Sequence, residues 1–434
     1  MSRRALLCGL LLVGCGGSDG VPGRDQIDAS VTDGGEPADG PGSDANTDAH
    51  ACAWTTRTLE PFVAGSSHSS VVLDPAGVLH VSFVAPGDGD LRYGTLAVNG
   101  TWSEGTIDSF AANVAHSVLV LDPANGLHIS YTATGDGDLM YAYKPSGGTW
   151  TTTTVDSFAA GVAHSALVLD PANGLHISYT ATTDGDLMYA YKPAGGSWTT
   201  TTVDAFAAGV AHSTLVLDPA NGLHISYAAA GDGDLMYASR PSGGTWATTT
   251  VDAFAAGVAH SALVLDPANG LHISYTATGD DDLMYAHKPA GGTWTTTTID
   301  PFATGVSHST LVLDPANGLH ISYAASGEDD LIYAYKPSGG TWTETTIDPF
   351  AEGVAHSTLL LDLANGLHVS YTATGDDDLM YAYKPSGGTW TETTIDPFAD
   401  GVAHSSLVLD PANRVHIVYS VSTDGDLMYA TRCL

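Results

Sequence analysis

The stretch from residue 116 to residue 155, HSVLVLDPANGLHISYTATGDGDLMYAYKPSGGTWTTTTV, contains four short segments with the character of β-strands. An apolar run, two segments of alternating character and a threonine-rich segment are separated by three turns rich in Asp, Pro, Asn and Gly. Because glycine and proline recur throughout at similar intervals, no helix of ordinary length fits. The stretch predicts four antiparallel strands.

This four-stranded unit recurs along the chain. Its tryptophan returns every 48 residues, at Trp54, Trp102, Trp150, Trp198, Trp246, Trp294, Trp342 and Trp390. A repeat of this length that contains only strands is typical of a propeller blade. The sequence therefore predicts an all-β fold, an eight-bladed β-propeller that spans residues 51–434.

The two ends of the repeated region are complementary. The first unit supplies only a Trp54 strand, and the last stops after Leu427–Arg432, before its tryptophan strand. We expect the N-terminal strand to complete the last blade. Cys52 and Cys433 then occupy the first and last positions of a hairpin turn, within about 7 Å of each other, so a disulfide is predicted. Two free thiols are the alternative.

A different segment precedes the repeats. Arg3 and Arg4 are followed by an apolar run and by Leu12-Val13-Gly14-Cys15, which resembles the lipobox of bacterial lipoproteins. The resemblance implies a signal peptide at 1–14, a lipid on Cys15 and a location at the outer membrane or cell surface. Residues 15–50 have the composition of a disordered acidic tether. An ordinary cleaved signal peptide is the alternative.

The chain is strongly acidic, with a formal net charge of −35, which argues against nucleic acid as a partner. Many carboxylates fall in the second turn of each unit and in the connections between units, so one face of the disc is predicted to be acidic. The turns are candidate calcium sites, although Asp and Gly also suit tight turns for conformational reasons. The candidate residues are Asp136, Asp138, Asp184, Asp186, Asp232, Asp234, Asp280, Asp282, Asp329, Asp330, Asp376 and Asp378.

Histidine recurs twice in each unit. One set, His68, His116, His164, His212, His260, His308, His356 and His404, opens the first strand and is predicted to surround the channel. The other set, from His80 to His416, stands near the start of the second strand. A ring of imidazoles can bind a transition metal or change charge near pH 6, but a residue repeated in every blade can equally be structural.

Aromatic residues offer a second kind of candidate site. Trp150, Tyr131 and Tyr141 and their equivalents suit either the core between blades or sugar pockets. One position varies from unit to unit, which indicates a surface location. Its tyrosines, Tyr143, Tyr191, Tyr335 and Tyr383, are the candidate ligand-binding aromatics.

Units of the form Ser-x-Leu-Val-Leu-Asp-x-x-x-Gly-Leu-His-Ile-Ser-Tyr, followed by Asp-Leu-Met-Tyr-Ala, resemble the sialidase-like, BNR-type repeats of secreted bacterial proteins. The resemblance implies a propeller and admits a glycan-processing hydrolase. A sialidase-like site needs three clustered arginines, whereas Arg57, Arg92, Arg240 and Arg414 fall at four different repeat positions.

No catalytic group is confined to a single unit of this nearly symmetric chain. We therefore expect a monomeric binding or scaffolding module that is not an enzyme and needs no cofactor, with calcium as an optional ligand. A multivalent lectin for glycans is the leading hypothesis. The alternatives are the hydrolase and an adhesin that binds basic proteins.

Overall fold

A computed structural model describes residues 53–433 apart from short segments. These segments are 62–68, 86–88, 110–113, 134, 158–160, 182–183, 206–208, 230, 254–256, 280, 302–304, 326, 328–329, 350–352, 374, 376–377, 398–400 and 422–424. The predicted signal peptide, tether and Cys15 lie outside the described residues. Within the described residues, no helix is long and apolar enough to span a membrane.

The described chain forms eight sheets of four antiparallel strands, which confirms the eight-bladed propeller. Blade 1 contains β2–β5, and each of blades 2 to 7 contains the next four strands in order. The strands are β1 Thr55–Glu60, β2 Ser69–Leu73, β3 Leu79–Ala85, β4 Asp90–Leu96, β5 Trp102–Asp108, β6 Val114–Leu121, β7 Leu127–Ala133, β8 Asp138–Lys144, β9 Thr151–Asp156, β10 Val162–Leu169, β11 Leu175–Ala181, β12 Asp186–Lys192, β13 Thr199–Asp204, β14 Val210–Leu217, β15 Leu223–Ala229, β16 Asp234–Arg240, β17 Ala247–Asp252, β18 Val258–Leu265, β19 Leu271–Ala277, β20 Asp282–Lys288, β21 Thr295–Asp300, β22 Val306–Leu313, β23 Leu319–Ala325, β24 Asp330–Lys336, β25 Thr343–Asp348, β26 Val354–Leu361, β27 Leu367–Ala373, β28 Asp378–Lys384, β29 Thr391–Asp396, β30 Val402–Leu409, β31 Val415–Val421 and β32 Asp426–Arg432.

Blade 8 is completed by the N-terminal strand, as the sequence predicts. Its sheet order is β1-β32-β31-β30, and Thr56 of β1 pairs with Ala430 of β32. Cys433 is disulfide-bonded, but its predicted partner, Cys52, lies outside the described residues. The pairing of these two cysteines therefore stays a prediction.

The apolar core is distributed among the junctions between neighbouring blades. At the junction of blades 1 and 2, Leu91 and Tyr93 of β4 pack against Leu119, Ile129 and Tyr131 of blade 2. The first strands of neighbouring blades contact one another around the axis, so the first strand is innermost. Because each blade buries its faces against two neighbours, the junctions hold the ring together.

The second turn and the connection between blades share one end of the blades. The amide of Gly161 in the connection after blade 2 donates to the carbonyl of Gly137 in that blade's second turn, at 3.3 Å. The first and third turns lie at the opposite end. We call the end with the second turns and the connections the acidic face. We call the end with the first and third turns the network face, after the hydrogen-bond network that lies there.

Candidate functional site

In blades 2 to 7 a chain of hydrogen bonds links an aspartate of the first turn, a histidine of the second strand and a tyrosine of the third strand. In blades 1 and 8 the same three residues lie together, but the His–Asp distances are 3.5 and 3.7 Å. In blade 2, His128 Nε2 lies 3.2 Å from Asp122 Oδ2 and His128 Nδ1 lies 2.6 Å from the Tyr141 hydroxyl. We call this arrangement the Asp–His–Tyr network. The other networks are Asp74–His80–Tyr93, Asp170–His176–Tyr189, Asp218–His224–Tyr237, Asp266–His272–Tyr285, Asp314–His320–Tyr333, Asp362–His368–Tyr381 and Asp410–His416–Tyr429.

The first turn positions the aspartate. Asp122 Oδ1 accepts hydrogen bonds from the amides of Ala124 and Gly126, at 2.8 and 2.6 Å, while Asn125 adopts a φ of 61°. Asn is among the few residues that adopt this left-handed conformation readily. Gly126 is needed for another reason, because a Cβ at its position would lie 2.5 Å from Asp122 Oδ2.

The network fixes the proton positions. A carboxylate only accepts, so the His128 Nε2–H donates to Asp122, and Nδ1 accepts the hydroxyl proton of Tyr141. Burial lowers the pKa of His128, although the Asp122 carboxylate opposes the shift. The histidine is therefore neutral at pH 7. At Asp218 burial alone would raise the pKa, but hydrogen bonds from Gly222, His224 and Ala220 outweigh it, so the pKa is lowered.

The next blade places a tryptophan and a cation against the network tyrosine. Trp150 of blade 2 stands edge-on to Tyr93 of blade 1, with ring centroids 5.0 Å apart, and the Lys144 ammonium lies 4.9 Å from the Tyr93 ring centroid. Equivalent cations recur around the network face. They are Lys192, Arg240, Lys288, Lys336, Lys384 and Arg432.

Two of these junctions open into cavities. The larger, about 420 Å³, lies between blades 5 and 6 and is lined by His287, Thr297, Lys336 and Trp342, among others. The smaller, about 260 Å³, lies between blades 4 and 5 and contains the network of His224. Both cavities combine aromatic surface with hydroxyl groups and a cation, so they can bind a polar ligand that also has apolar faces.

The candidate tyrosines of the variable position lie at these junctions and are half-buried. Tyr143 pairs with His128 across the strands, and the two rings lie 4.7 Å apart. Tyr191, Tyr335 and Tyr383 contact His176, His320 and His368 in the same way. The structure thus brings the predicted tyrosines and the second set of histidines into one site.

Sequence reasoning missed the Asp–His–Tyr network. Its signal was present, because an aspartate precedes the histidine by six residues and a tyrosine follows it by thirteen in every unit. In an antiparallel hairpin these spacings place the three side chains on one face.

The acidic turns lie on the opposite face. Asp136 is exposed, and burial, followed by the charges of Asp136 and Asp156, raises the pKa of Asp138. Among the described residues, no group of three or more His, Cys, Asp or Glu side chains is arranged to hold a metal ion. Asp280, Asp329 and Asp376 lie outside those residues, and calcium binding stays a prediction.

The connection aspartates on the acidic face join neighbouring blades. The Tyr131 hydroxyl of β7 donates to Asp108 Oδ2 at the end of β5, at 2.6 Å. The same bond recurs at the next six junctions, from Tyr179–Asp156 to Tyr419–Asp396. These carboxylates therefore have a structural partner.

The first set of histidines forms an arc of contacting rings at the innermost strands. Consecutive ring centroids from His116 through His164, His212, His260, His308 and His356 to His404 lie 4.4 to 4.8 Å apart. Burial, with the neighbouring imidazoles, lowers the pKa to about 4 at His116 and to about 3 at His164. These two histidines are therefore uncharged at neutral pH. His68 lies outside the described residues.

No protein-family model and no curated protein matches the chain. Solved structures similar to it include an ulvan lyase, a polysaccharide lyase, with a TM-score of 0.54 and 12% identity over 86% of this chain and 95% of that chain. Virginiamycin B lyase from Staphylococcus aureus has a TM-score of 0.48 and 11% identity, over 88% of this chain and 99% of that chain. Aleuria aurantia lectin has a TM-score of 0.41 and 16% identity, over 68% of this chain and 98% of that chain. At these identities the likeness is one of fold.

The prediction that the chain is not an enzyme is wrong. It rested on near-eightfold repetition, yet a polysaccharide lyase is among the propellers similar to this chain, so the architecture gives no ground for excluding catalysis. The junctions also differ physically, because side chains at the variable position cover the network in some blades and leave it open in others. Membership of the sialidase-like group stays a prediction.

Proposed function

We propose that the propeller acts on carbohydrate, which it binds in the grooves between neighbouring blades on the network face. The observation that carries this proposal is a repeated grouping at the junctions. A tyrosine of one blade, an edge-on tryptophan of the next and a lysine or arginine above them form one wall.

The chemistry of this wall suits a sugar. In the cavity between blades 5 and 6, Tyr285 and Trp342 supply apolar ring surface, whereas Thr297 and His287 supply hydrogen-bonding groups. A pyranose has apolar C–H faces and polar edges, so it matches a site that combines aromatic rings with a few polar groups. Repetition of the groove around the ring would add avidity for a polymeric glycan.

The first test is a glycan array probed with the purified propeller, residues 51–434, in calcium and in a chelator. We expect binding to a limited set of glycans, and we expect His287→Ala and Lys336→Ala to weaken it without changing the melting temperature. Loss of binding in chelator would show that binding requires a divalent cation. An array that stays blank in both conditions contradicts the proposal and directs the search to basic protein partners.

A second measurement separates binding from processing. Each bound glycan is incubated with the propeller, and its chain length is followed by chromatography. Shortened products would identify a glycan-processing enzyme, whereas unchanged glycan would identify a lectin-like module for the glycans tested.

We further propose that the chain is exported and anchored through a lipid on Cys15. The lipobox-like Leu12-Val13-Gly14-Cys15 and the polar segment 15–50 support this proposal. Cys15→Ser should move the protein from the detergent phase to the aqueous phase on partitioning. Aqueous partitioning of the unmodified full chain would contradict lipidation.

A further inference from the structure

One of the positions at which the eight junctions differ is the residue of the third strand that faces the network histidine. An aromatic ring at this position lies against the histidine in five blades, with centroids 4.6 to 4.9 Å apart. These residues are Tyr143, Tyr191, His287, Tyr335 and Tyr383. The other three blades have the small residues Thr95, Ser239 and Thr431, which pair with His80, His224 and His416.

The aromatic ring acts as a cover. The side chains of the covered histidines are 0 to 9% exposed, whereas those of His224, His80 and His416 are 16, 13 and 10% exposed. His224 is the most exposed of the eight. Replacing a tyrosine by serine therefore opens the network of blade 4 to the groove.

At blade 4 this opening forms the cavity of about 260 Å³. Its wall includes Asp218, His224, Tyr237, Ser239, Arg240 and Lys288. Lys288 is the cation of this cavity and Asp218 its carboxylate, whereas the Arg240 guanidinium lies over Tyr189 at the junction of blades 3 and 4. The cavity is smaller than the roughly 300–1,000 Å³ of sites for drug-sized ligands, so it matches a single sugar unit.

The carboxylate is already satisfied inside the protein. Asp218 Oδ1 accepts the amides of Ala220 and Gly222, at 2.8 and 2.6 Å, and Oδ2 lies 3.4 Å from His224 Nε2. Among the described residues, no carboxylate oxygen lies within 4.0 Å of the Lys288 ammonium group, which lies 5.3 Å from the Tyr237 ring centroid. Lys288 therefore has no ion-pair partner among the described residues and can bind the negative group of a ligand.

The polar end of the network also faces this cavity. The Tyr237 hydroxyl lies 2.5 Å from His224 Nδ1. Burial raises the pKa of Tyr237 to about 12, and a hydrogen bond with Ser239 partly opposes this rise. Tyrosine and serine hydroxyls both donate and accept hydrogen bonds. They can therefore bind the hydroxyl groups of a sugar.

From this geometry we propose that the junction of blades 4 and 5 binds one acidic sugar unit. Lys288 holds its negative group, and Ser239 and Tyr237 bind its hydroxyls. The proposal rests on the carbohydrate function proposed above and makes this junction distinct from the covered ones. A carboxylate and a sulfate ester share the required charge.

The test is isothermal titration of the propeller with methyl β-D-glucuronide, and with methyl β-D-glucoside as the neutral control. We expect the glucuronide to bind at least about tenfold more tightly, because a hydrogen bond to a charged group contributes about 1.5–3 kcal/mol. Ser239→Tyr introduces the tyrosine that four other blades have at this position, so the variant should fold but should no longer bind the glucuronide. Titration with a sulfated methyl glucoside tests whether a sulfate ester can replace the carboxylate.

Matched variants test the charge and the cover separately. Lys288→Gln should weaken glucuronide binding about tenfold and leave glucoside binding unchanged. Tyr191→Ser should open a cavity of the same kind at the junction of blades 3 and 4, and it should raise the binding stoichiometry. Melting temperatures report whether each variant is folded.

Equal affinity for the two glycosides, or full glucuronide binding by Ser239→Tyr, would overturn the proposal. An array that identifies glycans while neither the glucuronide nor the sulfated glucoside binds would overturn this inference and leave the carbohydrate function standing. A blank array together with negative titrations would overturn both.

Discussion

Phe83 stands where the other seven blades have a tyrosine whose hydroxyl donates to a connection aspartate. At the same junction Glu60 replaces the aspartate, and burial, followed by the charge of Glu104, raises its pKa. The paired exception indicates that the hydroxyl and the aspartate depend on each other. One missing hydroxyl is tolerated because Phe83 is fully buried in the apolar core.

The contribution of this hydrogen bond to stability can be measured at Tyr131, whose hydroxyl donates to Asp108. We expect Tyr131→Phe to lower the free energy of unfolding by about 1.5–3 kcal/mol, since it removes a hydrogen bond to a carboxylate. Urea unfolding of Tyr131→Phe, Asp108→Asn and the double variant provides the measurement. If the effects of the two single variants simply add, the two groups are not coupled and our interpretation fails.

The arc of histidines predicts acid sensitivity. In the unfolded chain a histidine takes up a proton as the pH falls below about 6.5, but the folded pKa is about 4 at His116 and about 3 at His164. Below pH 6.5 the unfolded state therefore binds more protons than the folded state, so the free energy of unfolding decreases as the pH is lowered. Each such histidine costs up to about 1.4 kcal/mol per pH unit in this window.

The measurement is the free energy of unfolding between pH 7.5 and 5.0, above the range in which ordinary carboxylates titrate. His164→Gln should reduce the pH slope by about one proton. Equal stability at the two ends of the range would show that the arc is not protonated preferentially on unfolding.

At the level of the element, the first turn adjusts the Asp–His distance. Blades with glycine before the second strand have distances of 3.2 to 3.4 Å, as at Asp122–His128. In blades 1 and 8, Val78 and Arg414 replace the glycine, and the distances are 3.5 and 3.7 Å. A Cβ at this position pushes the aspartate away from its histidine.

Gly126→Ala should therefore lengthen the Asp122–His128 contact and destabilise the protein by about 1 kcal/mol, the contribution of one hydrogen bond. Arg414→Gly in blade 8 is the converse variant and should strengthen its network. Urea unfolding and the NMR signal of the histidine Nε2–H report the two effects. An unchanged signal in Gly126→Ala would contradict the steric explanation.

The strands and turns could be predicted from the sequence because their signals are local. Alternating residues define each strand, and Asp, Asn, Gly and Pro define the turns. The Asp–His–Tyr network depends on register between strands, which periodicity alone does not give. The cavity at Ser239 could not be predicted, since its significance appears only when a missing ring is seen to uncover His224.

At the scale of the whole molecule, closure depends on β1. Leu59 of β1 is buried against Val71, Phe83 and Leu427, and the strand is paired to β32. Ile107 occupies the same repeat position in β5, where the chain continues directly into blade 2. The two positions thus differ in whether the covalent chain also joins the strand to its sheet.

We expect Leu59→Ala to cost about 2–4 kcal/mol as a large-to-small core substitution. A thiol reductant should lower its melting temperature further, because the predicted Cys52–Cys433 disulfide tethers β1 to β32. Ile107→Ala is the matched control and should show a smaller response to reductant. An equal response of the two variants would argue against the predicted pairing.

The pairing of β1 with β32 also constrains when the molecule can fold. Blades 1 to 7 can form in order as their strands emerge during synthesis, but blade 8 lacks its outer strand until residues about 370 positions apart meet. A chain threaded through a membrane pore from its N-terminus would carry β1 across first and wait for β32 to arrive last. Secretion would therefore deliver an open arc, and the ring would shut only on the far side.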